Sequence, residues 1–363
     1  DSSPTTPQAS DEIDKLLKSE TGSRSLDGPF GKLVLTLLIS WSLFQLWYAS
    51  PLPYMFNFAV FNEDQAKFIH LSFAVFLTFS LFPLSVRHSK GHWQALDVII
   101  GVTAAACSLY LLVNRDALSD RIGAPTTTDI IFAVVGMITL LEAARRALGP
   151  PLVIVAVVFL IYTFGGPHMP DVIAHKGASL NKTMSHQWLT TEGVFGVALG
   201  VSTTFVFLFV LLGALLDKAG AGNYLIKVSF SMLGHLKGGP AKAAVVASGL
   251  SGIISGSSIA NVVTTGTFTI PLMKRVGFPG SKAGAVEVAA STNGQLTPPI
   301  MGAAAFLMVE YVGISYIEVV KHAILPSLIS YIALIYIVHL EAVKRNMPTI
   351  GHKTVSTLRT VLG

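Results

Sequence analysis

The sequence predicts an all-α integral membrane protein with about eight spans, one of them broken by glycine and proline, plus one re-entrant helical hairpin. Three observations carry that reading. Only 12% of the 363 residues are charged and 52% are hydrophobic, with a mean hydropathy of +0.62, whereas about a quarter of a soluble domain is charged. The apolar residues fall in runs of about 20, the length of helix that crosses a hydrocarbon core about 30 Å thick. Two further apolar stretches are interrupted at their centres by residues that break helices.

Residues 1–29 are polar and read as a cytoplasmic leader, with no secretory signal behind them. Simple spans follow at 32–50, 67–86, 95–113, 129–145, 150–166, 193–216 and 316–340. Trp41, Phe44, Trp47 and Tyr48 crowd the second half of the first span, as an interfacial aromatic belt does. The polar loop 167–192 holds His168, His175 and His186, which lack the spacing and the carboxylates of a metal site; His88 and His92 in a short inner loop read the same way. The single cysteine, Cys107, lies inside an apolar run and offers neither a disulfide framework nor a thiol cluster.

The interrupted stretches carry the chemistry. Residues 241–254 and 259–272 are each too short to cross, and Ser255-Gly256-Ser257-Ser258 lies between them. Fourteen residues reach only about 21 Å, so the pair reads as a hairpin that dips to mid-membrane and turns back. Residues 283–313 read as one span broken at Ser291-Thr292-Asn293-Gly294-Gln295-Leu296-Thr297-Pro298-Pro299, because proline removes a donor and clashes with the preceding turn. Unpaired backbone at that depth is tolerated only where protein or water satisfies it, so the two breaks are expected to face each other. The first half of the broken span is expected to end near Asn293 and the second to start at Pro299.

Helix polarity assigns roles. Two carbonyl ends can hold a dehydrated cation and two N–H ends a carboxylate. A sodium-like ion is therefore expected at Ser255, Gly256, Ser257, Ser291, Thr292, Asn293 and Gly294, and a small anion at Ser258, Asn261, Thr297 and Pro298. No other metal and no organic cofactor is expected. Glu287 is a candidate functional carboxylate because it is ionisable within an apolar stretch. The alternative is that it snorkels to the cytoplasmic end or pairs with Lys282 or Lys242. Ser248, Gly249 and Gly252 read as packing residues.

With a cytoplasmic N-terminus and a hairpin that does not cross, only Lys67, Arg115, Arg121, Lys176, Lys182 and Lys321 of the 25 basic residues fall outside. That bias follows the positive-inside rule, and a crossing hairpin would reverse it for the later segments. The scatter of basic residues through the gaps argues against nucleic-acid binding. Phosphate-loop, H-E-x-x-H and G-x-S-x-G patterns are missing, which points away from an enzyme. An ion channel is the chief rival, since re-entrant hairpins also build selectivity filters; a non-transporting assembly subunit is the other.

The segments GLSGIISGSSIANVVTTGTFTIPLMKRVGFPG and AGAVEVAASTNGQLTPPIMGAAAFLMVEYVG resemble the tripartite ATP-independent periplasmic (TRAP) transporters, in particular the permeases that fuse a small four-helix subunit to the large one. The resemblance implies an elevator-type secondary transporter of the bacterial inner membrane, driven by sodium as coupling ion. Its substrate, usually a carboxylate, would come from a periplasmic substrate-binding protein. It also implies a division of the chain: a scaffold-like small-subunit region at 30–147, scaffold helices at 148–240, a transport region at 241–315, and a further span and tail at 316–363. The family's large subunit carries two inverted repeats, each with a hairpin and a broken helix. One such set is present here, so a further repeat or a partner chain is expected to complete the site.

Overall fold

The computed structural model describes residue 24 and residues 28–84 and 91–347. Most of the expected leader, His88 and the tail beyond residue 347 lie outside the described residues. Regular structure among the described residues is entirely helical. Six helices are long and apolar enough to cross a membrane: Gly28–Ala49, His92–Val113, Thr127–Leu148, Pro150–His168, Val197–Leu216 and Tyr316–Lys344. The chain divides at Thr204 into two compact units.

In the first unit, α1 (Gly28–Ala49) is followed by α2 (Glu63–Leu81), α3 (His92–Val113), α4 (Thr127–Leu148) and α5 (Pro150–Gly165). The segment expected to span at 67–86 forms α2, which is not among the six because charged residues occupy its first turns. It starts at Glu63 because the Asn62 side chain accepts from the Gln65 N–H while the Gln65 side chain accepts from the Asn62 N–H. Glu63, Asp64 and Lys67 sit in its first turns, with Lys67 Nζ 2.6 Å from Glu63. A Thr126–Asp129 capping box starts α4, and Gly149 at φ +86° ends it just before Pro150 opens α5.

Phe68, Val75, Phe79, Ala104, Cys107, Leu111, Ala133 and Met137 form the unit's core. Buried charges latch α3 and α4 at both ends. Asp97 takes Arg24 at 2.8 Å and Arg146 at 2.6 Å, with the Arg146 guanidinium 4.8 Å from the Phe79 ring centre. At the other end Asp129 accepts from Arg121 at 2.8 and 2.9 Å and from Tyr110 at 2.6 Å. Such pairs are costly to break because the remaining charge stays buried.

The segment read as an outer loop is more structured than its polarity suggests. It forms helical turns at Leu180–Met184 and Ser185–Leu189, and Trp188, 1% exposed, packs against Gly136, where a β-carbon would overlap the indole. The loop polarity masked this single aromatic anchor. His175 bonds to the Tyr162 carbonyl, and His186 pairs with Glu192 at 2.9 Å.

The second unit holds α6 (Phe207–Lys218), α7 (Ala221–Leu233), α8 (Gly239–Ser255), α9 (Ser258–Arg275), α10 (Gly280–Gly294), α11 (Ala303–Val312) and α12 (Tyr316–Lys344). The helix α7 was not expected. Lys227 interrupts its apolar residues, and it follows the 3.6-residue period of an amphipathic helix rather than a continuous apolar run. Ala241, Ala244, Val245, Met273, Ala283, Ala290, Val338 and Ala342 build the core between α8, α9, α10 and α12. These mostly small side chains let the helix axes come close.

Candidate functional site

A helical hairpin, α8 and α9, meets the broken helix α10–α11 at the centre of this unit. At 1.5 Å per residue α8 is about 25 Å and α9 about 27 Å long, longer than the sequence suggested and still short of a full hydrocarbon core. The hairpin turns at Gly256, which sits at φ +60° and donates its N–H to the Gly252 carbonyl. A left-handed residue ending a helix is the usual work of glycine. Ser258 then opens α9.

The expected restart of the broken helix at Pro299 is corrected: α11 begins at Ala303, after N-cap Gly302. The eight intervening residues are held by side chains and by the linker itself. Tyr316 Oη reaches the carbonyls of Pro299 and Ile300 at 2.6 and 2.7 Å, and the Gly302 N–H donates to the Gln295 carbonyl at 2.8 Å. Met301 takes a left-handed φ of 59°, so the chain turns back before it can coil again.

The two breaks are packed together. A β-carbon on Gly256 would lie 2.9 Å from the Met301 carbonyl oxygen, and one on Gly252 would lie 2.7 Å from the Gly294 Cα. Across the same seam Gln295 Nε2 donates to Ser258 Oγ at 3.2 Å. Ser255 Oγ and the Ser257 backbone bond to each other within the tip, at 3.3 and 3.4 Å.

The remaining predicted residues sort into three places. Thr292 is exposed and donates to its own helix at Val288. Thr297 donates to the Asn293 carbonyl and shares a 3.0 Å bond with Ser327 on α12, while Asn293 and Pro298 are half-buried. Asn261 and Ser291 lie deeper, around Glu287. All three are buried, Asn261, Ser291 and Glu287 each at 0% exposure.

Glu287 does not snorkel, and it pairs with neither lysine. Lys282 goes to Glu341 at 2.6 Å, and Lys242 Nζ lies 3.0 Å from His339 Nδ1. Instead its Oε1 accepts from Ser248 at 2.9 Å, Thr265 at 2.5 Å and Ser291 at 3.3 Å, while Oε2 accepts from Thr269 at 2.6 Å. The Asn261 amide nitrogen donates to the Ser248 carbonyl at 2.7 Å and to the hydroxyls of Ser248 and Ser291 at 2.9 and 3.1 Å. Ser248 is thus a member of this polar cluster rather than a packing residue. Gly252 and Gly249 do pack closely, the latter against Tyr331, whose ring carbons would lie 2.8 Å from a β-carbon there.

Thr265, Thr269 and Gln295 are the functional candidates that sequence reasoning missed. Their signal was periodic: Asn261, Thr265 and Thr269 recur every fourth residue along one face of α9, and Glu287 and Ser291 share that spacing on α10.

Several helices long and apolar enough to cross a membrane, together with a hairpin and a discontinuous helix in the second unit, define a multi-pass membrane protein of the kind in which secondary transporters build their sites. The chain belongs to the tripartite ATP-independent periplasmic transporter family: the model of its DctM component matches residues 135–362. The "C4-dicarboxylate TRAP transporter large permease protein DctM" of Pseudomonas aeruginosa is 32% identical over 143 residues, 39% of this chain and 32% of that protein. The protein of the same name from Vibrio cholerae is 30% identical over 143 residues, 39% and 30% of the two chains. The "Ectoine TRAP transporter large permease protein TeaC" of Halomonas elongata is 28% identical over 142 residues, 39% and 33% of the two chains. The matched stretch thus spans about a third of the length of these curated relatives.

Proposed function

We propose that this chain is the membrane permease, or part of it, of a sodium-driven secondary transporter that imports small organic carboxylates handed over by a periplasmic binding protein. The observation that carries the reading is the seam where the hairpin tip at Gly256 abuts the helix break at Gln295–Gly302. There, carbonyl ends of α8 and α10 and N–H ends of α9 and α11 come within one site, which suits a cation beside an anion. Sodium is assigned to Ser255, Gly256, Ser257, Ser291, Thr292, Asn293 and Gly294, and the carboxylate to Ser258, Asn261, Thr297 and Pro298.

The relatives' names favour an anionic cargo through the C4-dicarboxylates. The transport region 241–315 moves as an elevator against the scaffold at 30–147 and 148–240, in an inner membrane with the N-terminus cytoplasmic. A second repeat or a partner chain completes the site.

The test is uptake of labelled C4-dicarboxylates by the complete transporter in proteoliposomes. Ser258→Ala, Asn261→Ala and Thr297→Val are each expected to weaken sodium-dependent uptake by about tenfold, the effect of losing one contact of about 1.4 kcal/mol. Wild-type sodium dependence in all three variants would sink the site assignment. Unitary currents in place of saturable uptake would make the protein a channel.

A further inference from the structure

The carboxylate of Glu287 lies fully buried, and among the described residues no lysine, arginine or histidine forms an ion pair with it. The other charged groups on α8, α9 and α10, and the Tyr331 hydroxyl of α12 that packs beside them, are engaged elsewhere or lie at the helix ends. Lys282 pairs with Glu341, Lys242 contacts His339, Tyr331 donates to the Ala290 carbonyl, and Lys274 and Arg275 are exposed at the end of α9. Burying a carboxylate without an opposite charge is costly, and here four hydroxyl donors stand in for that charge. In a membrane such a group faces the protein interior and marks an ion path.

The oxygens around Glu287 are arranged so that they can change roles. A hydroxyl has one proton and two lone pairs, yet two of these hydroxyls each face two acceptors. Thr265 Oγ1 is 2.7 Å from the Asn261 carbonyl and 2.5 Å from Glu287; Thr269 Oγ1 is 3.0 Å from the Thr265 carbonyl and 2.6 Å from Glu287. Each can turn its proton to the carbonyl one helical turn back and leave a lone pair facing the carboxylate, with no change of rotamer. Ser248 and Ser291 are linked at 2.9 Å and can likewise pass their protons along the chain. The amide of Asn261, bound through its nitrogen to Ser248 and Ser291, carries an Oδ1 that is buried without a partner. A bound cation would satisfy that orphaned acceptor.

We propose that Glu287 anchors a binding site for a second dehydrated monovalent cation, of sodium type. Thr265, Thr269, Ser248 and the Asn261 side-chain oxygen Oδ1 complete it; it lies on the Glu287 side of the ion and carboxylate positions proposed at the hairpin tip and adjoins them through Asn261 and Ser291. Its part in coupling rests on the permease reading; its occupancy does not. With no ion, the four hydroxyls donate to the carboxylate, as in the structure. With an ion, the protons of Thr265 and Thr269 turn to the backbone carbonyls of Asn261 and Thr265 and that of Ser248 to the Ser291 oxygen, and the three freed hydroxyl oxygens join the carboxylate as ligands. Because α8, α9 and α10 all contribute, occupancy would lock both hairpin arms to the first half of the broken helix.

The experiment is equilibrium binding of radioactive sodium to the purified full-length protein in nanodiscs, with wild type, Glu287→Gln, Thr265→Val and Ser258→Ala compared. Glu287→Gln is expected to lose one class of saturable sodium binding. Thr265→Val, which keeps the carboxylate, is expected to weaken that class by about 10–100-fold, the effect of removing a supporting partner of a bound metal. Ser258→Ala should leave it intact. Sodium binding indifferent to both Glu287→Gln and Thr265→Val overturns the proposal. So does a proton uptake that vanishes in Glu287→Gln with no sodium effect, because the proton would then be the neutralising ion. If the Glu287 class is present but uptake lacks sodium dependence, the site stands and the sodium-driven reading fails.

Discussion

Single hydroxyls around Glu287 carry different weights, and the hydrogen bonds say which. Thr269 donates to a fully buried carboxylate at 2.6 Å, whereas Thr292, four residues from Val288 on its own helix, is exposed and bonds only to that backbone. Leaving a buried charged acceptor short of a donor costs about 1–3 kcal/mol. Thr269→Val, equal in shape, is therefore expected to lower stability by that amount, read as a fall in Tm of the purified protein. Thr292→Val is expected to stay within about 0.5 kcal/mol, as exposed changes usually do. Equal effects from the two would mean that the cluster is not the buried network its distances describe. At this scale the sequence was only partly legible. Glu287 stood out because a charge in an apolar run is conspicuous, but Ser248, Thr265 and Thr269 did not, because hydroxyls also serve as packing residues and donors to their own helix. Only the partners that tertiary structure brings up distinguish those uses.

Helices were the most legible level, and their limits follow from the signal used. Continuous apolar runs mark α1, α3, α4, α5 and α12, and Ser/Gly and Pro/Pro punctuation marks the two breaks. Amphipathic α7 gives no such run. Where α11 restarts depends on Met301, Gly302 and the Tyr316 hydroxyl rather than on the prolines themselves. The contact between elements is set by glycines. Gly252 on α8 lies against the backbone of Gly294 on α10, and Gly136 on α4 lies against the Trp188 indole. Backbone cannot rotate away as a side chain can, and overpacking typically costs about 1–3 kcal/mol. Gly252→Ala is thus expected to separate α8 from α10 and reduce both Tm and transport. Gly136→Ala should lower Tm and shift the fluorescence of Trp188 toward that of an exposed indole. A Gly252→Ala protein with unchanged Tm would contradict the backbone contact.

The second unit as a whole sets which of its ends carries the two bases of the hairpin. Both arms open at the end where α12 finishes: Lys237 reaches Asn346 at 3.3 Å, Lys282 reaches Glu341 at 2.6 Å, and Arg345 also pairs with Glu341. Phe278 and Met347 share one hydrophobic core there. The helix α12, with 29 residues, is long enough to cross, and α11 ends where α12 begins, at the opposite end. On the permease reading proposed above, a hairpin whose two bases share an end with the close of a crossing helix is expected to enter and leave on that side. That end also gathers Lys237, Lys242, Lys274, Arg275, Lys282, Lys344 and Arg345, the basic clustering expected of the cytoplasmic face. Cysteines placed at Lys237 and Lys274 in a Cys107→Ala background are therefore expected to react with a membrane-impermeant maleimide in inside-out vesicles and not in intact cells. A cysteine at Glu310, near the far end of α11, should show the reverse. If Lys237→Cys and Lys274→Cys instead react from opposite faces, the hairpin spans the bilayer. Its tip would then no longer lie at mid-depth, and the ion and carboxylate roles drawn from helix polarity there would fall with it.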